Sequence, residues 1–97
     1  MNHPRRDLRQ EPLYPLDGLT QAMKDCLLDV PPQGLLRVGQ GYVGCSTQIH
    51  RTVVVNAVEE LGLIRKFVIA GTAGPVRRAY LTAEGAWCVR SLRRAGT

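Results

Sequence analysis

Residues 46–66 read STQIHRTVVVNAVEELGLIRK and contain the clearest structural pattern of the chain. Apolar side chains recur at every fourth position of its first part, with two valines beside them: Ile49, Val53, Ala57 and Leu61, then Val54 and Val58. This spacing predicts an amphipathic helix over residues 46–61. Ser46 or Thr47 can cap its start, and Gly62 ends it. The β-branched run TVVV alone favours a strand, but the NAVEEL that follows and the glycine outweigh it.

A hairpin and a closing helix follow this stretch. Two segments rich in β-forming side chains flank the sequence GTAGP, whose glycines and proline predict a turn. The hairpin is therefore expected over residues 63–81. Thr82 can cap a last helix, with Glu84 in its first turn and arginines at its end, where the helix dipole favours each sign.

Upstream, another amphipathic helix precedes a glycine-rich segment. Asp17 can cap this helix, and two consecutive prolines end it. Its apolar side chains share one face and its charged ones the other: Leu19, Ala22, Met23, Cys26, Leu27 and Val30, against Lys24, Asp25 and Asp29. Four glycines within residues 33–45 disfavour a helix there, so we expect a short strand over residues 35–38 and then a loop through Tyr42.

Length and composition limit the organisation and the partners of the chain. Its 97 residues allow one domain, expected over residues 17–94, after a flexible arm over residues 1–16 that has three prolines and no apolar face. The formal charge is +5, with nine basic and three acidic side chains in residues 37–97, as in many nucleic-acid binders. Short apolar runs, a polar start and three cysteines without CxxC spacing predict a cytoplasmic protein without membrane association.

Residues 46–66, together with AYLTAEGAWCVRSL at residues 79–92, resemble small bacterial winged helix-turn-helix regulators. The shared features are an RTV-type helix that ends in a glycine before leucine and isoleucine, and a basic hairpin that closes on LT-x-x-G. The resemblance covers about residues 19–92. It implies an α+β winged-helix fold (helix, short strand, recognition helix, two-stranded wing, C-terminal helix) and transcription regulation through sequence-specific binding of double-stranded DNA. One feature departs from the superfamily: segment 33–45 leaves little room for the helix that usually precedes the recognition helix.

The resemblance implies two groups of DNA contacts. The recognition helix would enter the major groove, where Gln and Asn pair with adenine, Arg with guanine, and Thr or Val methyl groups with the thymine methyl. Its residues of these types are Thr47, Gln48, Arg51, Thr52, Val55 and Asn56. Basic side chains of the wing would neutralise backbone phosphates or enter the minor groove: Lys66, Arg77 and Arg78, with Arg65 and Arg37 nearby. The alternative for both groups is an ordinary solvated surface.

A second function stays open: a winged-helix protein-interaction module that docks to a partner, such as a nucleic-acid-handling protein, without binding DNA itself. The missing helix and the acidic pair Glu59 and Glu60 favour it. We expect a homodimer, because so short a chain has a small core and one recognition helix reads few bases. Trp87 and Leu92 are candidate contacts of the dimer.

No catalytic or metal-binding pattern emerges from the cysteines and histidines. Cys45, directly before the predicted recognition helix, is a candidate redox-active thiol, the alternative being a small loop residue. Cys26 and Cys88 fall on apolar helix faces and are expected in the core. His50 is the only histidine of the body, too few for a nucleophile–base–acid set, and the cysteine spacing is unlike a zinc site. We therefore expect neither an enzyme nor a metal or cofactor.

Overall fold

The computed structural model describes residues 11–96, which form three helices and one five-stranded antiparallel sheet. In chain order the elements are α1 (Gln21–Leu28), β1 (Leu35–Val38), β2 (Gly41–Val43), β3 (Ile49–Arg51), α2 (Thr52–Glu60), β4 (Ile64–Gly71), β5 (Gly74–Leu81) and α3 (Ala83–Arg94). The predicted α+β class is confirmed. None of the helices in this range is long and apolar enough to cross a membrane.

The sheet has the strand order β3-β2-β1-β5-β4. The predicted hairpin over residues 63–81 is present as β4 and β5, which we call the wing, with Gly71 opposite Gly74 at its tip. The buried non-glycine residues of the strands all lie on one face, because side chains alternate along a strand: Leu35, Tyr42, His50, Ile64 and Ala79. We call this side the helix face, since the helices pack on it, and the other side the outer face.

The predicted loop through Tyr42 and the start of the predicted recognition helix are wrong. Residues 41–43 form β2, and Tyr42 pairs with His50 in β3, so α2 begins only at Thr52. Ser46, the expected cap, instead donates its hydroxyl proton and its backbone N–H to the carboxylate of Asp29 at 2.9 and 2.8 Å. The segment before α2 is therefore held extended by contacts with residues distant in the chain.

The buried face of α2 also differs from the prediction. Val55 and Val58 are fully buried, whereas the expected core residues Ile49 and Val53 are 58% and 62% exposed. Leu61 is 49% exposed. Valines at four positions of α2 give it apolar character on more than one side, so its rotation is set by packing against α1 and β4 rather than by its own pattern. Val55 is consequently a core residue, and its predicted contact with DNA is wrong.

The first helix follows its predicted pattern but is shorter. Thr20, not Asp17, caps α1 by accepting a hydrogen bond from the N–H of Met23 at 3.2 Å. Cys26 and Leu27 are buried as expected, whereas Asp29, predicted on the solvated side, is only 8% exposed. The helix ends at Leu28, and Asp29 is its C-terminal cap residue.

The predicted start of α3 is confirmed, since the Thr82 hydroxyl accepts a hydrogen bond from the N–H of Gly85 at 3.0 Å. Gly85 allows α3 to approach closely the backbone of Leu63, directly before β4. A Cβ atom there would lie 1.9 Å from the carbonyl oxygen of Leu63. The glycine of LT-x-x-G thus seats the last helix against the residue that precedes β4.

Part of the predicted arm contacts α3. The indole N–H of Trp87 donates to the carbonyl of Pro12 at 2.7 Å, and its ring meets the ring of Tyr14 edge-on at 5.1 Å. Leu16 packs against the core, so residues 11–16 bury more surface than their composition predicts, while residues 1–10 of the arm lie outside the described residues. Leu92 is fully buried and is not available for the predicted dimer contact, whereas Trp87 is half-buried and its predicted contact stays a prediction.

Candidate nucleic-acid interface

A buried polar cluster fixes the start of α2. The ring Nε2 of His50 lies 2.7 Å from the carboxylate of Asp29, which also accepts both hydrogen bonds from Ser46. Gly44 brings the two segments together, because a Cβ there would lie 2.0 Å from the carbonyl oxygen of Asp29. That carbonyl accepts the N–H of Cys45 at 2.9 Å. The segment that leads into α2 is therefore bound to the end of α1.

The same cluster sets the protonation of Asp29. Burial alone would raise the pKa of this carboxyl group, but the hydrogen bonds from the His50 ring and from Ser46 outweigh burial and hold the pKa below its ordinary value. Asp29 therefore stays charged at neutral pH, which favours the contacts that position β3 and the first turn of α2.

The exposed surface of α2 begins at Arg51, the residue that precedes the helix. Arg51 lines an open groove together with Gln40 and Val53, and the Thr52 hydroxyl donates to the carbonyl of Gln40 at 3.1 Å. Asn56, one turn later on the same side as Val53, is exposed. Thr47 and Gln48, predicted within the helix, lie exposed in the loop before β3. The polar surface of the predicted recognition helix is thus divided between a loop and the start of α2.

The wing places its four basic residues on opposite faces. Lys66 pairs with Ala79 and lies on the helix face. Arg77, two residues before Ala79 in β5, lies on the same face because side chains alternate along a strand. Arg65 pairs with Tyr80, and Arg78 with Phe67, on the outer face. Of these four residues, Lys66 and Arg77 share a side with α2, and Arg65 and Arg78 do not.

Arg37 joins these two residues on the helix face. Arg37, Lys66 and Arg77, from three different strands, line one open depression, which we call the basic depression. The guanidinium of Arg37 lies 5.8 Å from the centre of the Tyr42 ring, a cation–π contact that orients it. Lys66 donates to the side-chain oxygen of Asn56 and lies 3.2 Å from the carboxylate of Glu59. The depression therefore adjoins α2, and Glu59 partly neutralises Lys66.

The outer-face arginines have partners of another kind. Arg78 donates to the carbonyls of Gln33 and Gly34 at 3.4 and 3.3 Å, which ties β5 to the loop before β1. Arg65 lies over the ring of Phe67, 5.7 Å from its centre. These contacts give Arg78 a structural role and leave Arg65 as an exposed charge remote from α2.

The sheet as a whole is strongly basic. Its five strands contain no aspartate or glutamate and six basic residues: Arg37, Arg51, Arg65, Lys66, Arg77 and Arg78. An anionic ligand therefore meets no carboxylate of the strands, and the nearest carboxylates on α2 are those of Glu59 and Glu60, in its second half.

The cysteines divide into two buried thiols and one exposed one. Cys26 and Cys88 are fully buried, as predicted, and burial raises the pKa of Cys26 to about 12 and also raises that of Cys88. Cys45 is exposed in the loop before β3, well ahead of the first residue of α2. Cys45 therefore does not lie at the helix N-terminus that was expected to activate its thiol.

Sequence reasoning missed Asp29 and Ser46 as the residues that position the site, because nothing in either local pattern indicates a contact across 17 residues.

Comparisons of the chain with known protein families, with curated proteins and with solved structures give no match.

Proposed function

We propose that the chain is a sequence-specific double-stranded-DNA-binding transcriptional regulator of winged-helix type. The observation that carries the proposal is the basic depression of Arg37, Lys66 and Arg77 beside the exposed side of α2. Three cations from separate strands lie beside Asn56 of α2, which Lys66 contacts, while Arg51 lines a separate groove at the start of the helix. The depression offers phosphate contacts, and the polar side chains along α2 offer base contacts.

The two parts of this surface have different tasks. Arg51, directly before α2, and Asn56, in the middle of it, have the side chains that pair with guanine and adenine edges in the major groove. Arg37 and Arg77 neutralise phosphates on the flanking backbone. Glu59 would repel phosphate beside Lys66, which it approaches to 3.2 Å, so the phosphate contacts are assigned to Arg37 and Arg77.

The order of elements supports the winged-helix type. A helix, a short strand, a second helix, a hairpin and a last helix occur in the order that the resemblance implies, but two further strands, β2 and β3, lie between β1 and α2. The hairpin pairs with β1 through β5, which brings the wing next to α2.

The division of the wing into two faces provides the test. Fluorescence anisotropy of a labelled random duplex, titrated at several salt concentrations, gives the slope of log affinity against log salt. Arg77→Ala is expected to reduce this slope by about 0.9, the value for one lost phosphate contact. Arg65→Ala removes the same charge from an exposed site on the outer face and is the matched control, expected to change the slope little.

Arg51 tests the base contacts. On a duplex selected from a random pool, Arg51→Ala is expected to weaken binding by about 1 to 3 kcal/mol and to change binding to random duplex little. Wild-type protein without salt-sensitive affinity for any duplex would contradict the proposal and favour the protein-interaction module. Equal effects of Arg65→Ala and Arg77→Ala would place the DNA elsewhere on the molecule.

A further inference from the structure

The free edge of β4 carries the longest exposed apolar run of the described strands. β4 is the last strand of the sheet, and within residues 11–96 only β5 pairs with it. Three consecutive residues on it are exposed: Phe67 by 47%, Val68 by 65% and Ile69 by 40%. A long apolar edge strand with unpaired backbone groups is a template for another strand.

We propose that β4 pairs antiparallel with β4 of a second copy of the chain, so that two sheets join into one of ten strands. The exposed run suits a strand as its partner, since an eight-residue edge offers its backbone groups along its whole length. Closed two-fold dimers are also the commonest assemblies of identical chains.

The sequence of β4 is complementary to itself. In a two-fold pairing centred on Val68, each Phe67 lies opposite Ile69 of the partner subunit on the outer face, and Lys66 lies opposite Ala70 of the partner subunit. Arg65 lies opposite Gly71 of the partner subunit, which places the two Arg65 side chains roughly 20 Å apart along the strand. Apolar side chains meet apolar ones, and no cation faces a cation.

The two-fold symmetry also has a consequence for DNA binding, and this part of the inference rests on the proposed function. A two-fold axis perpendicular to the joined sheet keeps the helix faces of both subunits on the same side. Both α2 helices and both basic depressions then face one duplex, which gives two half-sites and adds the specificity that a single reading helix lacks.

Sedimentation velocity at about 50 μM protein, without DNA, tests the dimer separately from DNA binding. Val68→Lys is expected to convert a wild-type dimer into a monomer, because it places two ammonium groups opposite each other at the centre of the pair. Val53→Lys is the matched control: the same residue type, 62% exposed against 65%, but located in α2 instead of β4. It is expected to leave the dimer intact.

Cross-linking provides a second, independent measurement. In a Cys45→Ser background, which removes the exposed thiol, Val68→Cys is expected to give a covalent dimer on mild oxidation, and Val53→Cys is not. A wild-type monomer at 50 μM, equal weakening by both lysine variants, or cross-linking at position 53 alone would overturn the proposal. None of these results bears on the affinity of α2 for DNA, so the two proposals fail separately.

Discussion

His50 and Asp29 join the start of α2 to the end of α1 through a buried contact of 2.7 Å between ring nitrogen and carboxylate. His50 is 3% exposed and Asp29 is 8% exposed, so water substitutes poorly for either partner. The position of Arg51, the next residue after His50, depends on this contact. The stability of the fold and the placement of the candidate site are therefore coupled.

Removing the carboxylate is expected to cost much stability. Asp29→Ala leaves His50 and Ser46 without their shared acceptor, and the loss of one partner of a buried pair costs about 3 to 5 kcal/mol. Urea unfolding followed by circular dichroism measures the free energy of unfolding. Asp25→Ala is the control, because within residues 11–96 Asp25 is bonded to its α1 neighbour Gln21, through an exposed hydrogen bond. Equal losses for both variants would contradict the structural role of Asp29.

Stability is expected to fall in acid through the same group. The folded pKa of Asp29 is lower than its unfolded value of about 3.9, so the unfolded chain binds the proton more readily. The contribution of Asp29 is complete above the unfolded pKa and is lost as the pH falls through the folded one. The difference in free energy of unfolding between wild type and Asp29→Asn should therefore shrink below about pH 4. A difference in the free energy of unfolding that stays constant down to pH 2.5 would contradict the stabilising role of the ionised Asp29 carboxylate.

Gly85→Ala should destabilise the protein, although alanine ordinarily favours a helix by about 1 kcal/mol over glycine. The added methyl would lie 1.9 Å from the carbonyl oxygen of Leu63, so α3 has to move away from the sheet. We expect a loss of about 2 kcal/mol or more in urea unfolding. Ala83→Gly, at the exposed first residue of α3, is the control and should cost less than about 1 kcal/mol. A gain in stability for Gly85→Ala would show that the helix is not held this closely.

Deletion of residues 1–16 is expected to lower the melting temperature, whereas deletion of residues 1–10 keeps every described contact of the segment. The longer deletion removes the Tyr14 ring against Trp87, the ion pair of Glu11 with Arg90 and the apolar contact of Leu16. Differential scanning calorimetry compares the two variants. Equal melting temperatures would mean that residues 11–16 add nothing to stability, as their composition suggests.

Local patterns predicted the elements whose structure is decided locally. The apolar spacing of α1, the turn glycines of the wing and the Thr82 cap each act within a few residues, and each element is present. The strands β2 and β3 are three residues long, too short for a periodic signal. They exist because Tyr42 pairs with His50 and Asp29 binds His50, contacts that no local pattern encodes.

The candidate site was predictable in composition but not in arrangement. Arg51, Asn56, Lys66 and Arg77 were predicted from residue type and position, and the structure leaves all four side chains partly or fully accessible. Val55 was predicted at the surface but is buried in the core. The prediction failed because α2 has valines on more than one side, so its sequence does not indicate which side faces the core. The separation of Arg65 from Lys66 follows from the strand pleat once the pairing with β5 is known.

The contact of Trp87 with Pro12 and Tyr14 gives the molecule an optical probe of its own N-terminal segment. Trp87 is the single tryptophan of the chain, so its intrinsic fluorescence comes from one known environment. Release of the segment would expose the indole to water and shift its emission to longer wavelength, while the far-ultraviolet signal of the helices and strands stayed unchanged. Undocking of the segment can thus be followed in real time in unlabelled protein and distinguished from global unfolding.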